Sequence, residues 1–140
     1  MKKLNFLIPL LIAGTISFSS CKKDDNGASG TGPDLTPVLT SGTWRVSYYH
    51  HASDDHTSNF SGYTFAFNAN GTLNAVNSGS TTSGTWSQDD SHNELHLSMG
   101  NSSPLSDLNK GWLILSGSST EIVLTDDNLT HNEEVHFTKI

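Results

Sequence analysis

From Thr43 to Lys139, apolar residues recur at every second position in short runs and nowhere keep a helical spacing. Period-two runs cut by Gly, Asn, Asp and Ser predict strands, and many short strands in one chain predict a sandwich or a barrel. Eight strands are expected, at about 43–50, 62–68, 72–77, 83–88, 94–99, 111–116, 120–125 and 133–139. Asn70-Gly71 is the clearest turn, because a two-residue hairpin needs positive φ at both central positions. Asp89-Asp90-Ser91, Gly117-Ser118-Ser119 and Asp126-Asp127-Asn128 mark three more connections, read as solvated turns. A single helical turn is expected from Ser103 to Lys110, with Ser as cap and Pro104 at the first position.

The alternation also assigns faces. Tyr63, Phe65 and Phe67 share one side of their strand, Leu95, Leu97 and Met99 share another, and Val135 and Phe137 a third. Thr64, Asn68, Glu94, His96, Glu134 and His136 fall on the opposite sides. One buried and one wet face per strand suits an antiparallel meander. Trp112-Leu113-Ile114-Leu115 is apolar on both sides, which predicts a strand covered on its outer face or lying at an oligomer contact.

Ahead of the domain, Met1-Lys2-Lys3 precedes an apolar stretch from Leu4 to Phe18 and the small residues Ser19-Ser20, the pattern of a secretory signal over residues 1–20. The only cysteine, Cys21, follows at once. This arrangement resembles the lipobox of bacterial lipoproteins, a family in which the cysteine becomes the mature N-terminus and carries the acyl chains. The resemblance implies lipidation of Cys21 and a membrane-anchored protein. Residues 21–37 are rich in Gly, Ser, Thr, Pro and Asp and nearly free of apolar side chains, so they predict a disordered tether with a reach of about 20–25 Å. Lys23-Asp24-Asp25 is similar to the surface-export signal of Bacteroidota lipoproteins, which implies the outer membrane and its medium-facing leaflet, with the periplasmic face as the alternative.

Residues 38–140 then form one domain. The chain holds 14 Asp plus Glu against 7 Lys plus Arg, and the domain keeps only Arg45, Lys110 and Lys139 as cations. Phosphate backbones need clustered cations, so nucleic acid is excluded as a partner. The domain's seven histidines invite a test for metal binding. His96 and His136 lie on polar faces beside Glu94 and Glu134, but the fifth and eighth strands of a meander are not neighbours. His92 and His96 have zincin-like spacing only on a helix. The acidic pairs lack the alternating Asp-x-Asp-x-Asn-Gly of a calcium loop, and no Gly-x-Ser-x-Gly elbow is present. No metal, cofactor or catalytic residue is expected, and the chain is read as a non-enzyme.

Ser41-Gly42-Thr43-Trp44 recurs as Ser83-Gly84-Thr85-Trp86, and Gly111-Trp112 is a looser third copy. Each Trp is expected near the start of a strand, with its ring plugging one end of a shared core. Gly42-x-Trp44 opening the first of eight strands resembles the lipocalin signature. With Phe65-x-Phe67-Asn68, Asn70-Gly71-Thr72-Leu73 and Gly84-Thr85-Trp86, the run is similar to small lipocalin-like domains of Bacteroidota lipoproteins. The resemblance implies an all-β, single antiparallel eight-stranded up-and-down barrel, with Lys139 lying across Trp44. It also implies an interior that binds a small, partly apolar molecule. The lining would be Trp44, Tyr48, Tyr63, Phe65, Phe67, Trp86, Leu97, Trp112 and Phe137, with a Tyr48 or Tyr63 hydroxyl orienting the guest. Rings this bulky also suit a filled core, since an eight-stranded barrel has just enough interior for its own side chains. The second reading is an interaction module contacting an envelope protein or glycan through Leu113 and Leu115 or the His- and Asp-rich loops.

Overall fold

Each alternating run finds its antiparallel partner in the next one along the chain, and the last run returns to the first. The computed structural model describes residues 32–128 and 130–140. The leader, Cys21, Lys23-Asp24-Asp25 and most of the tether lie outside the described residues. The strands are β1 (Thr43–His51), β2 (Asp54–Asp55), β3 (Thr64–Phe67), β4 (Thr72–Asn77), β5 (Ser80–Asp89), β6 (Glu94–Ser98), β7 (Lys110–Gly117), β8 (Glu121–Asp126) and β9 (Glu133–Lys139). β1 pairs with β9 from Trp44↔Lys139 to His51↔Glu133, which closes the sheet into a ring. β2 only extends the edge of β1, through His50↔Asp55 and His51↔Asp54. The eight staves β1 and β3–β9 therefore make the expected all-β up-and-down barrel.

Closure between β1 and β3 is brief, resting on Thr43↔Ala66 and Trp44↔Phe65. Beyond that point a 3-10 turn, Thr57–Phe60, fills the opening. The Thr57 hydroxyl accepts the Tyr49 N–H at 2.8 Å, and Phe60 is buried edge-on to Tyr49 at 5.2 Å. A contiguous set of aromatic contacts continues inward from there, through Phe60–Phe65, Phe65–Phe137, Phe137–Phe67 and Phe67–Trp86.

The two ends are closed differently. At the first, α1 (Thr36–Leu39) lies under the barrel, with Leu35 and Leu39 in the core. Gln88 clips this segment down, accepting the Leu35 N–H at 2.9 Å and donating to the Pro33 carbonyl at 2.7 Å. Packing thus begins before residue 38, where the composition alone placed the boundary, because Leu35 fits over Gly117 in the space a Cβ would take. The opposite end carries the 3-10 turns Thr57–Phe60 and Leu105–Leu108, with Leu105 and Leu108 buried.

The three tryptophans share one device: each indole N–H donates to a main-chain carbonyl. Trp44 reaches Leu39 at 2.9 Å, Trp86 reaches Asn68 at 2.9 Å and Trp112 reaches Leu108 at 3.0 Å. Trp44 and Trp112 sit near strand starts as expected, but Trp86 lies late in β5, because that strand begins three residues earlier than the alternation predicted. Trp44 thus closes the helix end beside Leu39, Trp112 packs beside Leu108 of the second 3-10 turn, and Trp86 ties β5 to the β3–β4 connection. The Lys139 ammonium lies 5.2 Å from the Trp44 ring and donates to the Ser41 hydroxyl at 2.7 Å, as the resemblance implied. Gly42 leaves room for this arrangement, since a Cβ there would fall 2.7 Å from the Lys139 Cε and push the lysine side chain aside. Lys139→Met is expected to cost about 0.5–1 kcal/mol, the range of an exposed cation–π pair, read as a small fall in melting temperature. An unchanged melt would remove the contact from the account of stability.

Three local expectations are corrected. The β3–β4 connection is longer than a two-residue hairpin. Asn68 pairs with Thr72 through a 2.8 Å N–H···O bond, only Gly71 takes positive φ (83°), and Asn70 uses its side chain to accept the Thr72 N–H at 3.0 Å. Pro104 stands before the 3-10 turn rather than inside a helix. Asp126 is not in a solvated turn: it is 4% exposed, at the end of β8.

Candidate functional site

Most of the residues expected to line the interior do point inward, and they fill it. Trp44, Phe65, Trp112 and Phe137 are fully buried, and Phe67, Leu97 and Trp86 nearly so. Tyr63 is half-buried, stacked on Phe65 at 6.2 Å. Tyr48 is a correction. The β1–β9 register slips between Val46 and Tyr48, so Ser47 is the extra residue of a bulge and the alternation changes phase. Tyr49 takes the core position (2% exposed), while Tyr48 turns outward against His136, ring centroids 4.9 Å apart. A depression of about 350 Å³ lies across β5, β6 and β7, bordered by Thr85, Ser87, His96, Ser98, Asn109 and Gly111. Gly111 leaves room there for the His96 ring, which Glu94 holds at 3.2 Å.

The densest chemistry sits at the end opposite α1. Four consecutive staves continue their inward alternation by one charged or titratable residue: Lys110 before Trp112 on β7, Asp126 after Leu124 on β8, Glu133 before Val135 on β9, and His51 after Tyr49 on β1. The result is a polar layer resting on the apolar core. The Lys110 ammonium donates to Asp126 at 2.9 Å and also to Glu133. His51 Nδ1 lies 3.1 Å from the other Glu133 oxygen, and His131 Nδ1 lies 3.2 Å from Asp126. Lys110 also lies 5.0 Å from the Trp112 ring.

The electrostatics follow from that geometry. Burial alone would raise the Asp126 carboxyl, but the Asn128 N–H, Lys110 and His131 outweigh it and hold it below the usual carboxylate range. Burial likewise works against the Lys110 charge, yet its bonds to Glu133 and Asp126 keep its pKa above the ordinary lysine value. The Tyr49 hydroxyl is pushed up, first by burial and then by the charges of Glu133, Asp107 and Asp126. Sequence reasoning passed over this layer because it read Asp126 as part of a turn and Lys110 as the end of a helical turn. The phase of the alternation, carried one step past each apolar run, was the signal that could have found it.

The remaining histidines do not gather. β6 and β9 are separated by β7 and β8, so His96 and His136 stay apart. Among the described residues no three His, Cys, Asp or Glu side chains converge as a metal cage. One Ser, His and Asp do meet, in the turn after β5. The Ser91 hydroxyl donates to Asp89 at 2.5 Å, and His92 Nδ1 lies 2.7 Å from Asp89 and 3.1 Å from Ser91. A proton relay needs the two ring nitrogens to serve acid and hydroxyl separately. Here one nitrogen faces both on an exposed turn, so the trio caps the hairpin.

No protein-family model matches this chain, and no curated protein matches it in sequence. Among solved structures it is similar to the crystal structure of a DUF4847 family protein from Bacteroides vulgatus ATCC 8482. The two are 16% identical with a TM-score of 0.54, over 74% of this chain and 96% of that one. The likeness is one of fold.

Proposed function

We propose that the protein is a lipoprotein anchored in the outer membrane through Cys21, whose barrel serves as a non-catalytic interaction module at the cell envelope. The observation that carries this reading is the filled interior: the side chains of Trp44, Phe65, Trp112 and Phe137 are all fully buried, with Phe65 edge-on to Phe137 at 5.5 Å, in the space where a carrier would hold its guest. The entry of the chain supports it too. Residues 33–39 reach the barrel at the helix end, so a tether arriving from the lipid would turn the charged end and its loops towards whatever the module meets. The small-molecule carrier is the alternative, with the same anchor and localisation.

Native mass spectrometry of the full chain, after incubation with an extract of envelope lipids and medium, separates the two. A bare chain is the expected result for the module. A small apolar molecule retained at one-to-one stoichiometry would overturn that reading in favour of the carrier and give the guest's mass.

A further inference from the structure

On the outer wall of the barrel, three neighbouring strands set polar residues in two rows. The register places Ser87 beside His96 and His96 beside Gly111, and, one step nearer the charged end, Thr85 beside Ser98 with Asn109 next in line. These residues border the depression of about 350 Å³, a volume within the range of small-ligand sites, about 300–1,000 Å³. Gly111 makes the hollow, since a Cβ there would fall 2.9 Å from Cε1 and 3.1 Å from Nδ1 of His96. Nε2 of the same ring lies 3.2 Å from Glu94, whose side chain is only 19% exposed, so the ring is held with its Nδ1 edge over Gly111. The Asn109 amide accepts the Met99 N–H and donates to the Gly100 carbonyl, which leaves one amide hydrogen over. Thr85, Ser87 and Ser98 are exposed. Among the described residues their hydroxyls make no hydrogen bond, whereas the Ser83 hydroxyl on the same strand donates to Asn74 at 2.7 Å.

We infer that this depression binds a neutral sugar residue, held by the hydroxyls of Thr85, Ser87 and Ser98, by His96 Nδ1 and by the free Asn109 amide hydrogen. The inference rests on the reading of the barrel as an interaction module and gives the partner's chemistry as saccharide. A hydroxyl both donates and accepts, so a ring that carries several hydroxyls finds a match along both rows. The other ligand classes fit less well. An apolar guest finds little surface, because Trp86 and Leu97 turn inward and are 7% and 4% exposed. An anion finds no free ammonium, because Lys110 is committed to Asp126 and Glu133. A cation would have to draw Glu94 away from His96. An extended peptide finds no open edge, because β5, β6 and β7 are each paired on both sides. The position agrees with the module: Asn109 directly follows the 3-10 turn Leu105–Leu108, at the end that the proposed tether would turn outward.

The test is a nuclear magnetic resonance titration of the full chain, isotope-labelled at glycine and histidine and followed through the Gly111 amide and His96 ring signals. The probes are glucose, galactose, mannose and N-acetylglucosamine, each as the monosaccharide and as a linear trisaccharide, with n-butanol as the control. Saturable shifts at Gly111 and His96 with at least one sugar, and none with butanol, are expected. Ser87→Ala and Ser98→Ala each remove an exposed hydroxyl, so they should leave the melting temperature unchanged. Each should weaken binding about 2- to 10-fold, the worth of one hydrogen bond. Gly111→Ala puts a methyl group in the hollow and should weaken binding further, read at His96. Tighter binding of a trisaccharide would assign the sugar to a glycan chain, and equal binding to a free monosaccharide. No saturable shift with any sugar, an equal response to butanol, or binding unchanged in both serine variants would overturn the inference. Those results beside a bare chain in mass spectrometry would remove the sugar site and leave the module reading in place. An apolar guest retained in mass spectrometry would strike at the module reading instead, while shifts at Gly111, on the outer wall, would still report the sugar.

Discussion

Replacing Lys110 with methionine is expected to destabilise the barrel by about 3–5 kcal/mol, the usual cost of removing one partner from a buried ion pair. Asp126 and Glu133, 4% and 5% exposed, would be left facing each other with no ammonium between them. For a domain of about a hundred residues this is a fall of some 12 °C or more in melting temperature. The added substitutions Asp126→Asn and Glu133→Gln should restore much of the loss, since the charges that made it costly are then gone. A loss below 1 kcal/mol for Lys110→Met would show that the layer is solvated and its ion pairs contribute little. Acid should weaken the wild-type protein through the same groups. The Asp126 pKa is depressed on folding, so its contribution is complete above the unfolded carboxylate value of about 4 and is lost as pH falls through the lower folded value. Denaturation midpoints followed from pH 6 to pH 2 should therefore fall below about pH 4, and Lys110→Met should flatten that slope.

Trp44→Ala carries the second large effect. The side chain is fully buried, and its N–H holds the Leu39 carbonyl at the end of α1. Truncation leaves a cavity at the helix end and releases the segment that Leu35 and Leu39 pack with, so about 3–5 kcal/mol should be lost. A protein of ordinary stability has about 5–15 kcal/mol in all, so urea unfolding should begin at much lower denaturant. Trp44→Phe keeps most of the volume, loses the hydrogen bond and should fall between. Near-equal stability of Trp44→Ala and wild type would mean that α1 closes the barrel unaided.

Much of this was legible along the chain because a strand writes its environment at every second residue. The runs Tyr63-Phe65-Phe67, Leu95-Leu97-Met99 and Val135-Phe137 could be assigned to a core without knowing their partners, and Gly42, Trp44 and Lys139 were placed together by resemblance before their contact was seen. What was misread lay where the period breaks. The bulge at Ser47 exchanges Tyr48 for Tyr49, and nothing in Val46-Ser47-Tyr48-Tyr49 says which tyrosine should lose its phase. A second slip, between Ile114 and Ser116 on β7, leaves Leu115 58% exposed in the run that looked apolar on both sides.

The candidate site marks the same division. Local composition and periodicity by themselves determined a strand-rich domain, its core aromatics and its acidity. Only the closed ring decided that Lys110, Asp126, Glu133 and His51, spread over more than eighty positions, form one layer. The physical reason is that alternation is a property of neighbours along the chain. The stabilisation of a buried charge depends instead on which other charges the sheet brings across from distant strands.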